Sequence, residues 1–409
     1  MPSFTARAEF DRLTHVRAHR PGLELWPGAL DPESNLFDAP VPPAQAAREH
    51  ERMTDALAAA GVEVHLLADD LAAAGELDAL VAEYVDVPEG VDESQRLSSA
   101  NQSAKRSGDA DAAAATVEFD AREKLELVLS RARLTEANDR TSVELRQPIS
   151  NTLFQSDTVV VGDEGPVLCE MGEPIRQDEL PIVRRAWEGL GAEFTHEMSR
   201  PLEGGEFLPA DEFALLGVSA EIDGEEEVIR TTYDAGREFL DAGAVGFEEV
   251  GLVRAPLAAD RRHREKHGIG SRVLHLLGWC NLAAEGLAVT DPELAESAAV
   301  DVFRKTSDGY EFDRSTSTLA YLRQRGYDIV EMGPEERWAA NFLTVDDGVV
   351  VPMHRTDEDG NYDPDLNGTI ERLKERGVEV LPDGEGIPEG VLTSGAGGIN
   401  CMTVPLERR

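Results

Sequence analysis

Five times along this chain an amphipathic helical stretch stops at a glycine and a short apolar strand follows at once. The clearest copies are Ala56-Leu-Ala-Ala-Ala-Gly61-Val-Glu-Val and Ala186-Trp-Glu-Gly-Leu-Gly191-Ala-Glu-Phe. Two more are Tyr321-Leu-Arg-Gln-Arg-Gly326-Tyr-Asp-Ile-Val and Arg372-Leu-Lys-Glu-Arg-Gly377-Val-Glu-Val, and a weaker one is Glu238-Phe-Leu-Asp-Ala-Gly243. Glycine takes the left-handed conformation that closes a helix, so each marks a helix end and the start of a new layer. Pairs of apolar strands around an Asp/Gly turn precede several of these helices. Examples are Thr158-Val-Val-Val-Gly-Asp-Glu-Gly-Pro-Val-Leu and Phe342-Leu-Thr-Val-Asp-Asp-Gly-Val-Val-Val. The unit is therefore strand–strand–helix–strand, and a unit that cannot cover its own helix face must pack on its neighbours. Five units suggest a closed ring around a central site, although an ordinary α/β sheet also produces helix–glycine–strand runs.

The spacing places an insertion. Gly61 and Gly191 lie 130 residues apart, whereas Gly326 and Gly377 lie 51 apart. Residues 70–90 and 117–138 read as helices, separated by an Ala/Ser/Asp-rich stretch at 92–115 with few large hydrophobics. The expected division is a catalytic body of residues 1–71 and 148–409, with 72–147 as a small helical insertion carrying a mobile linker.

Composition narrows the partners. The net charge is −41 over 409 residues, and only five residues are lysine (Lys105, Lys124, Lys266, Lys305, Lys374). The acids are dispersed among normal hydrophobic segments, which fits a folded protein of a salt-saturated cytoplasm, where charges are screened within a few ångströms. No basic stripe is available for phosphates, so nucleic acid is not an expected partner. No run of eighteen apolar residues exists, and the first residues lack a hydrophobic signal region, so a cytoplasmic protein without membrane contact is expected. Cys169, Cys280 and Cys401 are too few for a disulfide framework, and no CxxC or paired-histidine spacing points to a metal. Nothing in the sequence sets the oligomeric state; a homo-oligomer is allowed.

Four segments carry chemistry. Ser394-Gly-Ala-Gly-Gly-Ile-Asn-Cys401-Met-Thr presents a lone thiol on a glycine-rich turn, the expected setting of a covalent nucleophile. Pro148-Ile-Ser-Asn-Thr-Leu-Phe-Gln-Ser-Asp157 and Pro201-Leu-Glu203-Gly-Gly-Glu206 place carboxylates just before apolar strands. His275 lies within the apolar, strand-like Leu274-His-Leu-Leu-Gly-Trp-Cys280. Each residue alone has a plain structural explanation. Together they supply a nucleophile, an acid/base and two carboxylates, as attack on a cationic carbon requires.

These segments resemble the signature segments of the arginine deiminases, members of the guanidino-group-modifying superfamily. The likeness extends to Val16-Arg-Ala-His-Arg-Pro-Gly22 and Leu36-Phe-Asp38 near the start. It implies a five-bladed ββαβ propeller (the pentein fold) with a helical insertion, and hydrolysis of L-arginine to L-citrulline and ammonia without metal or organic cofactor. In the implied roles Cys401 attacks the guanidinium carbon, His275 moves protons, Glu203 holds His275, and Asp157 clamps the guanidinium. Arg176 and Arg230 take the substrate carboxylate, and Glu206 and Gly398 complete the substrate pocket. Three positions depart from the family pattern: Leu277 stands where an aspartate is usual, Glu206 replaces an aspartate, and Asn400 replaces an arginine. Transfer of the amidino group to an amine, hydrolysis of a substituted arginine, and binding without turnover are the alternatives the residues leave open.

Overall fold

A computed structural model describes residues 2–86, 119–137, 140–222, 225–395 and 397–409. Five sheets of three or more strands share one pairing rule: two antiparallel strands and a parallel third. The first unit pairs Leu13–Ala18 antiparallel with the C-terminal Thr403–Arg408 and parallel with Glu63–Leu66. The second is Val159–Val161, Pro166–Leu168 and His196–Glu197. The third begins with Phe207–Ala210, Phe213–Val218 and Glu249–Arg254. The fourth is Cys280–Ala284, Leu287–Thr290 and Asp328–Glu331, and the fifth Leu343–Asp346, Val349–Val351 and Glu379–Val380. Among the described residues no sheet closes on itself.

Within each unit a helix leads to the parallel strand, and all five glycines behave alike. Gly61, Gly191, Gly243, Gly326 and Gly377 have φ between +62° and +87°. Each donates to the carbonyl three residues back, and the residue after it reaches five back, as in Gly61 N to Ala58 O and Val62 N to Leu57 O. This Schellman closure satisfies carbonyls that the helix end would otherwise leave bare. The chain turns straight into the next strand.

Three readings change. The helix expected over 117–138 is Ala121–Leu129, opened by a reciprocal Asp120/Glu123 capping box, and is followed by the hairpin Arg133–Ala137 with Arg140–Glu144. Arg131, at φ +45°, ends the helical course. The stretch 92–115 lies outside the described residues. The third sheet grows to five strands because Ala299–Thr306 and Gly309–Ser317 fold onto Glu249–Arg254. Finally, His275 does not sit in a strand. It caps a 3-10 turn over Leu276–Gly278, and the strand starts at Cys280. The turn is enforced locally: a Cβ on Gly278 would lie 2.4 Å from the Arg272 carbonyl oxygen.

The helices at Leu67–Ala74, Leu77–Tyr84 and Ala121–Leu129 share a core with Ile182 and Ala186 of the second unit's helix. No described helix is long and apolar enough to cross a membrane.

Candidate active site

All the chemical segments fall at one place in the repeat: the tight turn that enters a unit's first strand. Each turn is closed by an amide reaching three residues back, from Asp157 to Phe154, Glu206 to Glu203, Gly278 to His275, Asn341 to Trp338 and Thr403 to Asn400. Asp157, Asn341 and Cys401 each lie two residues ahead of their strand. The same position is glycine in the third and fourth units. A Cβ on Gly205 would stand 2.8 Å from His275 Nδ1 and 3.0 Å from Asp157 Oδ1, so this glycine is needed for the carboxylate and the imidazole to approach.

His275 is the hub. Its Nε2 lies 2.9 Å from Glu203 Oε2, its Nδ1 lies 3.7 Å from Asp157 Oδ1, and Cys401 lines the same cleft. Burial disfavours the imidazolium. The Asp157 charge, the Cys401 side chain and Glu203 outweigh it and hold the His275 pKa well above its ordinary value. Glu203 is fully buried, and burial raises its pKa. The opposing pull of His275, Arg176 and Arg230 wins, so it stays ionised far below the usual carboxylate range. Its other oxygen accepts from Gly172 N at 3.3 Å, and its own amide donates to Thr231 Oγ1 at 3.1 Å. The pair is therefore an imidazolium on a fixed carboxylate.

Cys401 is the reachable thiol. Cys169 and Cys280 are buried, and desolvation pushes the Cys169 pKa far up and that of Cys280 to about 12. Cys401 is half-buried in a cleft lined by Asp157, His275, Arg230, Phe154 and Leu36. Two residues not anticipated from sequence hold it. Asn341 Nδ2 donates to Cys401 Sγ at 3.1 Å, while its Oδ1 accepts from Cys401 N at 3.4 Å. The Ser156 hydroxyl lies 3.0 Å from the Cys401 carbonyl oxygen and 3.1 Å from Asp157 Oδ1, tying the cysteine turn to the carboxylate turn. A repeat argument would have found Asn341: Ala340-Asn341-Phe342 occupies in the fifth unit the position of Asp157 in the second.

Of the four remaining expected contacts, Arg230 stays at the cleft and Arg176, Glu206 and Gly398 are engaged within the protein. Arg176 does not offer a free guanidinium to a substrate carboxylate. It pairs with Glu179 at 2.9 and 3.0 Å and with Asp157 at 2.6 Å, and it is buried. It thereby already supplies a cation beside Asp157, Glu203 and His275, a group whose donor atoms would otherwise suit a metal. Arg230 is the cation at the cleft: Nη1 lies 3.2 Å from Glu173 but makes no hydrogen bond, and Nε lies 4.0 Å from Glu203. Glu206 does not line the cleft. Its carboxylate accepts from Leu276 N at 2.6 Å and packs against Gly217, positioning the His275 turn from behind. Burial is the main cause of its pKa rising to about 7. Gly398 makes room for Asn341, since a Cβ there would be 2.4 Å from the Asn341 amide oxygen.

With this geometry the comparisons with known proteins are specific. The family model "Arginine deiminase" matches residues 34–234 and 273–408, which include every turn just described. The chain belongs to the arginine deiminase family. An arginine deiminase of Halobacterium salinarum is 33% identical, covering 98% of this chain and 96% of its own. One of Mycolicibacterium gilvum is 28% identical over 98% of this chain and 97% of its own. Among solved structures, a DDAH from Pseudomonas aeruginosa complexed with citrulline aligns with a TM-score of 0.51 at 14% identity, covering 96% of this chain and 99% of that one. The amidinotransferase SxtG from Microseira wollei aligns at 0.53 with 13% identity, covering 99% and 97%. At such identities these two speak for the fold alone, which is mixed α/β.

Proposed function

We propose that this protein hydrolyses L-arginine to L-citrulline and ammonia through a covalent cysteine intermediate, in a five-bladed propeller whose pre-strand turns meet on its axis. The carrying observation is the His275 imidazolium set between Glu203, Asp157 and the Cys401 side chain. A guanidinium stays charged at ordinary pH, so a carboxylate can hold it in the plane that exposes its carbon.

Cys401 Sγ attacks the guanidinium carbon as its thiolate, with Asn341 donating to the sulfur. A C–S bond forms, one C–N bond breaks, and His275 gives its proton to the nitrogen that leaves as ammonia. The amidino-thioether then meets water, whose proton passes to His275 while the oxygen bonds to carbon. The C–S bond breaks, Cys401 leaves as thiolate, and citrulline is released. Asp157 orients the guanidinium, Glu203 keeps His275 charged and fixed, and Arg230 takes the substrate carboxylate. Residues 1–71 and 148–409 form the catalytic body and 72–147 an insertion on the second unit. The excess acid and the halophile relative support a cytoplasm rich in salt.

The test is citrulline and ammonia release from L-arginine in molar KCl, with Cys401→Ala as control. Equimolar products, lost in the variant, are expected. Absence of citrulline, with Cys401 still alkylated by a guanidine-mimicking electrophile, would sink arginine as the substrate.

A further inference from the structure

A second cluster of titratable groups lies on the first sheet, apart from the cleft. His15 is on the central strand, Glu63 and His65 on one edge strand, and Glu407 on the other. The register places His15 beside both Glu63 and Glu407. His15 Nδ1 and His65 Nε2 face each other at 3.2 Å. Both face the Glu63 carboxylate, at 3.6 and 3.5 Å. The far nitrogens are engaged elsewhere. His65 Nδ1 lies 3.2 Å from Asp70 Oδ1, and His15 Nε2 lies 3.7 Å from Glu407 Oε2.

These two outer carboxylates are themselves anchored. Asp70 is bound by Arg17, whose Nε donates at 2.8 Å, and Glu407 accepts from Thr14 Oγ1 at 2.9 Å and Ser3 N at 3.1 Å. A carboxylate behind an imidazole takes the ring N–H and so selects the tautomer. Asp70, at 3.2 Å, takes the proton of His65 on Nδ1 and leaves Nε2 a lone pair, while Glu407 Oε2 lies 3.7 Å from His15 Nε2 and favours a proton there by its charge alone. His65 Nε2 therefore faces His15 Nδ1 and the Glu63 carboxylate as an electron-pair donor. A proton on His15 Nδ1 bridges the two rings in the free protein, and a cation can take its place. Among the described residues no lysine or arginine pairs with Glu63, and the neighbouring arginines Arg17 and Arg409 serve the outer carboxylates.

The spacing has a metal's dimensions. Ligands about 2.0–2.1 Å from tetrahedral Zn²⁺ stand about 3.3–3.4 Å from each other. The separations of 3.2, 3.5 and 3.6 Å are of that size, the two longer ones running to the two different oxygens of Glu63. Both imidazoles are mostly buried, at 16% and 15% exposed, while Glu63 is 67% exposed and leaves the fourth corner to solvent.

We propose that His15, Glu63 and His65 bind one divalent transition ion of the Zn²⁺ class, with Asp70 hydrogen-bonded behind His65 and the Glu407 carboxylate facing His15 from the other side. Nitrogen and carboxylate donors in a tetrahedral arrangement suit Zn²⁺ over the hard cations Mg²⁺ and Ca²⁺. The ion clamps the two strands of the first unit that the helix Pro43–Ala59 connects.

The test is calorimetric titration of Zn²⁺ into the full-length, EDTA-treated protein in KCl, with Co²⁺ absorption as a reporter of four-coordinate geometry. One equivalent is expected in the wild type and equally in Cys401→Ala, which removes the other accessible soft donor. Affinity should fall about 100-fold in His65→Gln and about tenfold in Glu63→Gln. Glu63 is exposed, so that variant reports binding even if a histidine variant folds poorly. Equal Zn²⁺ affinity in wild type and Glu63→Gln, or stoichiometric binding kept in a His15→Gln/His65→Gln double variant, would overturn the site.

Discussion

The two walls of the cleft differ in kind. The wall built by the second and third units carries Asp157, Arg176, Glu203 and Arg230, locked by short ion pairs and almost wholly buried. The opposite wall stands behind Cys401 and carries Leu277 of the fourth unit's turn, Asn341 of the fifth and Asn400 of the first, none of them charged, while His275 of the fourth unit pairs with the first wall. Leu277 belongs to the hydrophobic core around Leu276 and Trp279. The charged wall can grip a cation and set a proton. The neutral wall can only orient the nucleophile, through Asn341. In the proposed mechanism recognition and protonation fall on one side and sulfur positioning on the other, so substitutions should sort by wall.

Loss of the sulfur itself is the largest effect. Cys401→Ala should lower kcat by on the order of 10⁴-fold or more while the protein stays folded, measured as citrulline release. Turnover near wild type would move the nucleophile elsewhere and dissolve the contrast.

Next comes the charged wall. Glu203→Gln should cost about 10³-fold in kcat. Glu203 raises the His275 pKa, so its loss should also shift the alkaline limb of the pH–rate profile to lower pH. An unmoved limb would mean that the proton is set by another group.

Glu206 tests whether the support behind His275 is electrostatic. Burial raises its pKa from 4.5 to about 7, so the folded protein prefers it protonated. That preference stabilises fully below pH 4.5 and is lost as pH rises through about 7, a difference of about 3 kcal/mol. Glu206→Gln keeps an acceptor for Leu276 N and should flatten denaturant stability between those values, making the variant the more stable above pH 7. An unchanged slope would show that Glu206 ionises freely in the fold.

On the neutral wall, Asn341→Ala should lower kcat about 30-fold with little change in KM, the value of one hydrogen bond to a charged sulfur at about 2 kcal/mol. A larger KM effect would place Asn341 on the substrate instead. Leu277→Asp would convert the neutral wall to a charged one. It should lower KM for arginine about tenfold, with a less stable protein in the absence of arginine. Raised KM in a folded variant would show that the wall is apolar for a reason other than a missing clamp.

Much of the site was legible because its parts are local. Asp157 and Glu203 stand out as carboxylates ahead of apolar strands, His275 as the histidine of an apolar run and Cys401 as a thiol on a glycine-rich turn, and the five glycine stops are single-helix events that need no distant partner. Arg176 was legible as a functional arginine, but its engagement with Glu179 and Asp157 was not, because that depends on how a 3-10 turn at Pro174–Arg176 packs under the second unit. The resemblance implied a pocket role for Glu206, yet three residues along a tight turn from Glu203 its side chain faces Leu276 N and Gly217 instead of the cleft.

By itself the sequence determined the repeating unit, the helix ends, the covalent chemistry and the electrostatic character of the surface. These follow from backbone freedom, hydrophobic period and charge, all properties of neighbouring residues. Tertiary structure alone decided which turns converge, that Asn341 and Ser156 hold the cysteine, that Ala299–Ser317 extends the third sheet, and that His15 meets His65 across 50 residues. Those contacts join segments distant in the chain, and no local preference encodes the distance between them.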